Sequence, residues 1–193
     1  EPPYQLPIKI NRHSAIAVGP EFMTAINRLR GREASERLRI NLQRTVAATI
    51  RRGGLIDFRF DAYTRPVEYL LLIDKNSEQN HQAQLFEFIY QHLLRQEVHA
   101  ERFFFDGVPL WCWNERHPEG LPLERLKHLH RDARLIVLGS GYGFISPVTG
   151  ELEEWTAQLA AWNRRALLTP APLAGWNYRE ATLAQFFQVL PSS

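Results

Sequence analysis

Tyr69-Leu70-Leu71-Leu72-Ile73-Asp74 is the most apolar run in the chain, and it stops abruptly at a carboxylate. Five consecutive apolar residues bounded by polar ones suit a central parallel strand, which is buried on both faces and has no solvent side to alternate toward. Downstream, Ala83, Phe86, Ile89 and Leu93 mark an amphipathic helix from Asn80 to Arg95. Phe103-Phe104-Phe105 is the next strand, Asp106-Gly107 its turn, and Val108 to Trp113 its hairpin partner. Leu123, Leu126 and Leu129 give a short helix, and Leu135 to Leu138 another buried strand that ends at Gly139-Ser140-Gly141. Trp155, Leu159 and Trp162 share a helix face. Ala166-Leu167-Leu168 is a strand closed by Pro170, and Tyr178 to Leu190 reads as a terminal helix with Leu183, Phe186 and Phe187. Upstream, Leu55 to Phe60 alternates like a half-buried strand after the Gly53-Gly54 stop. Glu33 to Arg52 repeats apolar residues at Leu38, Leu42, Val46 and Ile50, the spacing of one helix face, and Pro20 to Arg30 is a shorter helical pattern. This alternation predicts an α/β fold with a doubly wound, mostly parallel sheet flanked by helices. The division expected is an N-terminal extension, residues 1–54, whose amphipathic helix packs on a domain formed by residues 55–193.

At 193 residues with 45% hydrophobic content the chain has material for one full core. Its 23 basic and 21 acidic residues nearly balance, but residues 1–66 carry 12 basic against 6 acidic and residues 67–193 carry 11 against 15. An N-terminal part facing an acidic surface, that of its own domain or of a neighbour, follows from this asymmetry. The single cysteine, Cys112, excludes an internal disulfide and a cysteine zinc cluster; in Leu110-Trp111-Cys112-Trp113 it reads as a buried, inert thiol. No apolar stretch approaches the ~20 residues of a membrane span, and no signal peptide is visible, so a cytoplasmic location is expected. The Pro-rich entry Glu1-Pro2-Pro3 and the exit Pro191-Ser192-Ser193 suggest a segment of a longer, multidomain protein.

Open sheets of this class bind ligands beyond the carboxyl ends of their strands, which directs attention to the loops after Ile73, Phe105 and Leu138. The first of these, Asp74-Lys75-Asn76-Ser77-Glu78, resembles the opening loop of von Willebrand factor A domains, where Asp-x-Ser-x-Ser begins a metal-ion-dependent adhesion site. The order of elements is similar across roughly residues 55–190. Trp162 to Pro170 looks like the last strand of the bacterial branch associated with MoxR-type ATPases. The resemblance implies an interaction module with a metal loop, and the departures from the pattern imply that the loop is degenerate. Asp74 stands where the family has Asp, but Asn76 and Glu78 replace the two serines. His117 to Leu126 lacks the family's Thr, and Ser140 occupies the place of its second Asp. Asp74, Asn76 and Glu78 offer three oxygens, short of the octahedral shell that Mg²⁺ demands. No resident cofactor is expected, Mg²⁺ being the one ion the loop would take.

Other motifs resolve toward structure. Gly139-Ser140-Gly141-Tyr142-Gly143 matches neither the dinucleotide fingerprint nor the P-loop, and it lacks the Gly-x-Ser-x-Gly of hydrolases. The seven histidines lack ligand spacing and read as surface groups. Trp111, Trp113, Trp155, Trp162 and Trp176 read as core. Arg28, Arg30, Arg32, Arg37, Arg39, Arg44, Arg51 and Arg52 lack the interleaved aromatics of a nucleic-acid surface. With no nucleophile, cofactor or phosphate motif, the reading favoured is a non-catalytic protein-interaction domain of a larger bacterial protein. Its expected contact edge is Asp74, Asp106 and Ser140, and its partner a protein or a neighbouring domain of the same chain. The competing reading is an α/β enzyme, hydrolase or nucleotide-binding, working through the loops at Asp74 and Ser140.

Overall fold

The computed structural model describes residues 29–75 and 82–191, together with their side chains except at 34–37 and 82–85. The elements begin with strand β1 (Arg32–Ile40), helix α1 (Leu42–Arg51), strands β2 (Phe60–Pro66) and β3 (Glu68–Asp74), and helix α2 (Gln82–Arg95). Strands β4 (His99–Asp106), β5 (Val108–Trp113) and β6 (Leu121–Pro122) follow, then helix α3 (Leu123–Leu129) and strand β7 (Arg134–Leu138). Strand β8 (Arg165–Thr169), helix α4 (Tyr178–Ala184) and strand β9 (Gln188–Pro191) complete the order, with 3-10 turns at Tyr142–Phe144, Glu154–Ala161 and Leu173–Gly175.

The apolar run that ends at Asp74 is the centre of the sheet. β3 pairs in parallel with β4 on one side and with β7 on the other, and β7, β8 and β9 continue in parallel. The seven-stranded order is β6-β5-β4-β3-β7-β8-β9, five strands of it parallel, with β5 and β6 antiparallel at one edge. This is an α/β doubly wound fold. Chain order reverses between β3 and β7, so the carboxyl ends of these two strands form the switch point where such sheets leave a crevice.

Every residue from Tyr69 to Asp74 is buried, as a strand covered on both faces requires. Leu70 and Leu72 point to one side, into a core with Leu123 and Leu126 of α3, Leu159, Trp162, and Leu183 and Phe187 of α4 and its exit. Tyr69, Leu71 and Ile73 point to the other, against Phe86 and Leu93 of α2. On this second side a groove of about 720 Å³ remains open over β7, β8 and β9, lined by Leu29, Ile136, Leu168 and Leu190 among others.

Four expected elements differ. The single helix expected over Glu33–Arg52 is a strand and a helix, because Asn41 interrupts it: its side chain accepts the Arg44 N–H at 2.9 Å and caps α1 there. Residues before Asn41 pair instead with β2, Leu38 opposite Ala62 and Ile40 opposite Phe60. The strand expected over Leu55–Phe60 begins only at Phe60; residues 57–59 run along α1, held by the hydroxyls of Thr45 and Thr49. The helix through Trp155 and Trp162 is a 3-10 helix that ends at Ala161. The terminal helix stops at Ala184, and Gln188–Pro191 becomes the parallel edge strand β9. The helix expected over Pro20–Arg30 lies outside the described residues except for Leu29 and Arg30.

The β1–β2 ribbon is tied to the amino ends of the parallel strands. Val67 N–H donates to the Gly31 carbonyl at 3.1 Å, Arg65 meets Asp132 at 2.6 Å just before β7, and Arg30 meets Glu97 at 2.6 Å just before β4. Arg134, the first residue of β7, reaches Glu33 at 3.5 Å. The apolar row of α1 is not packed on the sheet. Leu42, Val46 and Ile50 are 74%, 57% and 72% exposed, while the small face of Ala48 is the buried one. The stripe expected to dock on the domain therefore faces solvent. The partner of α1 is the extended segment 57–59, whose Asp57 and Arg59 N–H groups donate to the hydroxyls of Thr49 and Thr45.

Candidate functional site

Asp74 ends β3 at the switch point and is buried. Its Oδ1 accepts the backbone N–H of Gly107 at 3.1 Å, which turns the carboxylate toward the β4–β5 hairpin. Of the three expected metal ligands, Asn76 and Glu78 lie outside the described residues, so only Asp74 is placed. Among the described residues no three His, Cys, Asp or Glu side chains converge as a metal would need. Asp106 stands exposed at the end of β4, opposite Val108 across the turn, and Gly107 takes φ 66° there. Ser140 is half-buried in the loop after β7, and the pairing of Ile73 with Leu138 brings that loop beside Asp74.

The glycines of this loop explain its path. A Cβ on Gly139 would lie 2.7 Å from the Asp74 Cβ. On Gly141, which has φ 73°, it would lie 2.8 Å from a Leu183 methyl, and on Gly143 it would lie 2.1 Å from the Gly107 carbonyl oxygen. Each glycine thus permits a close approach of backbone to protein. The Gly139 N–H is spent on the Leu168 carbonyl at 3.2 Å, and the next turn is closed by Phe144 N–H to the Gly141 carbonyl at 3.1 Å. The loop lies down over the strand ends, and Phe144 buries behind it against Trp155 and Phe187. A phosphate cradle presents its N–H groups to open space; here the first of them, Gly139, is already bonded within the sheet.

What stands out from the loop is Tyr142, 70% exposed. The guanidinium of Arg179 sits 4.2 Å from its ring centre. Arg179 is held in turn by Glu180, to which it donates from Nε at 2.9 Å and from a second nitrogen. Glu180 is buried and belongs to the cap of α4, accepting the Asn177 N–H at 3.0 Å while Asn177 caps the helix in return. Burial alone would push the Glu180 carboxyl up; the Asn177 N–H and the Arg179 guanidinium outweigh this and hold it below the usual carboxylate range. The result is an exposed aromatic ring fixed through two ionised groups to a helix terminus. No local pattern announced it, because Tyr142 and Arg179 are far apart in sequence.

The remaining candidates divide. Cys112 is fully buried, and burial pushes its thiol up to about 12, so it is inert as expected. His130 is not a simple surface group: it is largely buried, its ring meets Phe103 edge-on, and burial lowers its pKa against the pull of Glu101. Trp162 is core, donating Nε1 to the His130 carbonyl at 2.8 Å, whereas Trp111 is exposed and donates to Glu119 at 3.2 Å. No helix among the described residues is long and apolar enough to cross a membrane. Comparison with protein-family models, with curated proteins and with solved structures finds no match.

Proposed function

We propose that this chain is a non-catalytic protein-interaction domain on the von Willebrand factor A plan, working in the cytoplasm as part of a larger multidomain bacterial protein. Its contact edge is the carboxyl end of the sheet, at Asp74, Asp106 and Ser140, and its metal loop is degenerate. The order of elements supports the plan: a buried strand into Asp74, an amphipathic helix, an aromatic strand with a hairpin, and a later strand ending in glycines. The partner is a protein or a neighbouring domain rather than a nucleic acid.

The observation that carries the reading is Tyr142. Tyr and Arg are the residue types that anchor protein interfaces, and an anchor fixed before binding loses little entropy when it docks. Here the ring is exposed, stacked on Arg179 and braced by Glu180, beside a crevice that the Gly139–Gly143 backbone fills. A filled crevice with a rigid aromatic at its rim suits a docking edge better than a reaction pocket.

Affinity purification of the whole protein from its source cells, wild type against Tyr142→Ala, tests this. The variant is expected to keep its melting temperature and to lose a partner that the wild type retains. Unchanged recovery of every partner overturns the edge. Turnover of nucleotide or ester by the purified domain, abolished by Asp74→Asn or Ser140→Ala, overturns the non-catalytic reading.

A further inference from the structure

β7 and β8 are inner strands of the sheet, yet their two faces are unequally covered. Leu135, Val137 and Leu167 on the first face are sealed by α3, the 3-10 helix Glu154–Ala161 and α4. On the second face Ile136, Ala166 and Leu168 are only half-buried, and Leu190 of β9 beside them is exposed. Among the described residues α2 is the helix that packs on this face, against β3 and β4. The groove of about 720 Å³ over β7, β8 and β9 is what it leaves open. Inner parallel strands occur with both faces covered, so this groove calls for an occupant.

The chain itself points to one. Leu29, the first described residue, has helical backbone and is half-buried at the amino end of the groove. Its carbonyl accepts the Tyr69 hydroxyl at 3.1 Å, and that hydroxyl in turn accepts from Arg134 at 3.5 Å. A carbonyl at a helix C-terminus lacks a partner within the helix and carries partial negative charge. Tyr69 and Arg134 answer both needs. The path beyond Leu29 is fixed as well. Arg30 meets Glu97 at 2.6 Å, and the Gly31 carbonyl accepts the Val67 N–H at 3.1 Å. The chain thus enters the described structure at the groove, with 28 residues upstream.

Those residues contain a segment of the right pattern and length. Pro20 and Glu21 suit a first helical turn, Arg28 suits the last, and Gly31 follows as a stop. Phe22, Ile26 and Leu29 fall on one helix face. The ten residues from Pro20 to Leu29 would span ~15 Å as a helix, and the five-residue strands β7 and β8 span ~16 Å. A helix this short is marginal in water on its own and takes its stability from packing.

We propose that the groove is the seat of the chain's own segment Pro20–Leu29. The segment forms a helix antiparallel to β7 and β8, ends at the Tyr69 hydroxyl, and lays Ile26 on Ile136 and Phe22 on Leu168. It closes the second face of the sheet and is part of the domain.

The test uses the full chain with Ala166→Cys, a small change on the groove floor, and follows maleimide labelling with and without Phe22→Asp plus Ile26→Asp. Cys112, buried in the core of the first face, reports unfolding in the same sample. Without the aspartates, position 166 is expected to label at least about tenfold more slowly than with them, while Cys112 stays unlabelled in both. Where the aspartates unfold the chain and Cys112 labels too, Ile26→Ala takes their place, with faster labelling again expected. A second thiol pair, Phe22→Cys with Leu190→Cys, should be joined within one chain by a short bismaleimide. Equal labelling with and without the substitutions while Cys112 stays protected overturns the proposal, as does failure of the pair to join. Protection that falls on dilution assigns the groove to a second copy, and protection that appears only with added oleate assigns it to an amphiphile; either result also overturns it.

Discussion

Replacing Gly143 by alanine asks whether the strand-end crevice is closed. A Cβ at that position meets the Gly107 carbonyl oxygen at 2.1 Å and its carbon at 2.8 Å, with a Val108 methyl at 3.1 Å. The first two are backbone atoms of the β4–β5 turn, where Gly107 has φ 66° and donates its N–H to Asp74. They cannot swing away as the end of a side chain would, so either the loop lifts or the hairpin moves. Forcing a methyl into a packed region costs about 1–3 kcal/mol, and a domain of this size loses about 2–4 °C of melting temperature per kcal/mol. Gly143→Ala is therefore expected to melt about 2–12 °C below the wild type. Gly175→Ala is the control, because its added Cβ meets only Pro172 ring carbons at 3.8 Å. Alanine at a site of that kind is neutral or stabilising by up to about 1 kcal/mol, through the unfolded chain. Calorimetry on both variants, with urea unfolding to check that the slope is unchanged, separates the cases. If Gly143→Ala melts with the wild type, the loop stands clear of the hairpin and the crevice beneath it is open.

His130 and Cys112 provide further measurements. Burial lowers the folded-state pKa of His130 below its ordinary 6.5, so the unfolded chain takes up that proton first as pH falls. The stability it contributes is complete above pH ~6.5 and is lost as pH falls toward the folded value. Urea midpoints measured between about pH 8 and about pH 5 should decline over that window, and His130→Gln should flatten the decline; an identical profile in the variant refutes this account. Cys112, with its thiol pushed up to about 12 and no exposed surface, should react with a maleimide only as fast as the protein unfolds. Rapid stoichiometric labelling of the native protein would show the β5 region to be open.

The parallel core was legible because burial on both faces leaves a plain mark. Leu70 to Ile73 and Leu135 to Leu138 have no polar alternation, and the structure pairs them side by side. The edge strand β9 left no such mark. Its four residues alternate between exposed and half-buried, and Leu183, Phe186 and Phe187 just before it carry on the spacing of α4. The cap Asn177 with Glu180 is a short-range pattern open to reading, but its use in fixing Tyr142 through Arg179 depends on the β7–β8–α4 packing. Asn76 and Glu78 lie outside the described residues, so the metal loop stands on its sequence and on Asp74.

The break at Asn41 changes how the charge of this part of the chain is used. Leu38 falls four residues before Leu42 by coincidence, one on a strand and one on a helix, and Asn41 between them is the residue that separates the two. Counted as one helix, the segment needs its apolar stripe buried against the sheet, and its arginines become the link to the acidic remainder of the chain. Divided at Asn41, the segment sends only part of its charge that way. Arg30 to Glu97 and Arg65 to Asp132 cross to the domain, and Arg134 crosses in return to Glu33. All three contacts lie at the root of the ribbon. Beyond it the two kinds of side chain part: Arg44 and Arg51 share the Ala48 side of α1, and Leu42, Val46 and Ile50, which the sheet does not cover, stand on the other.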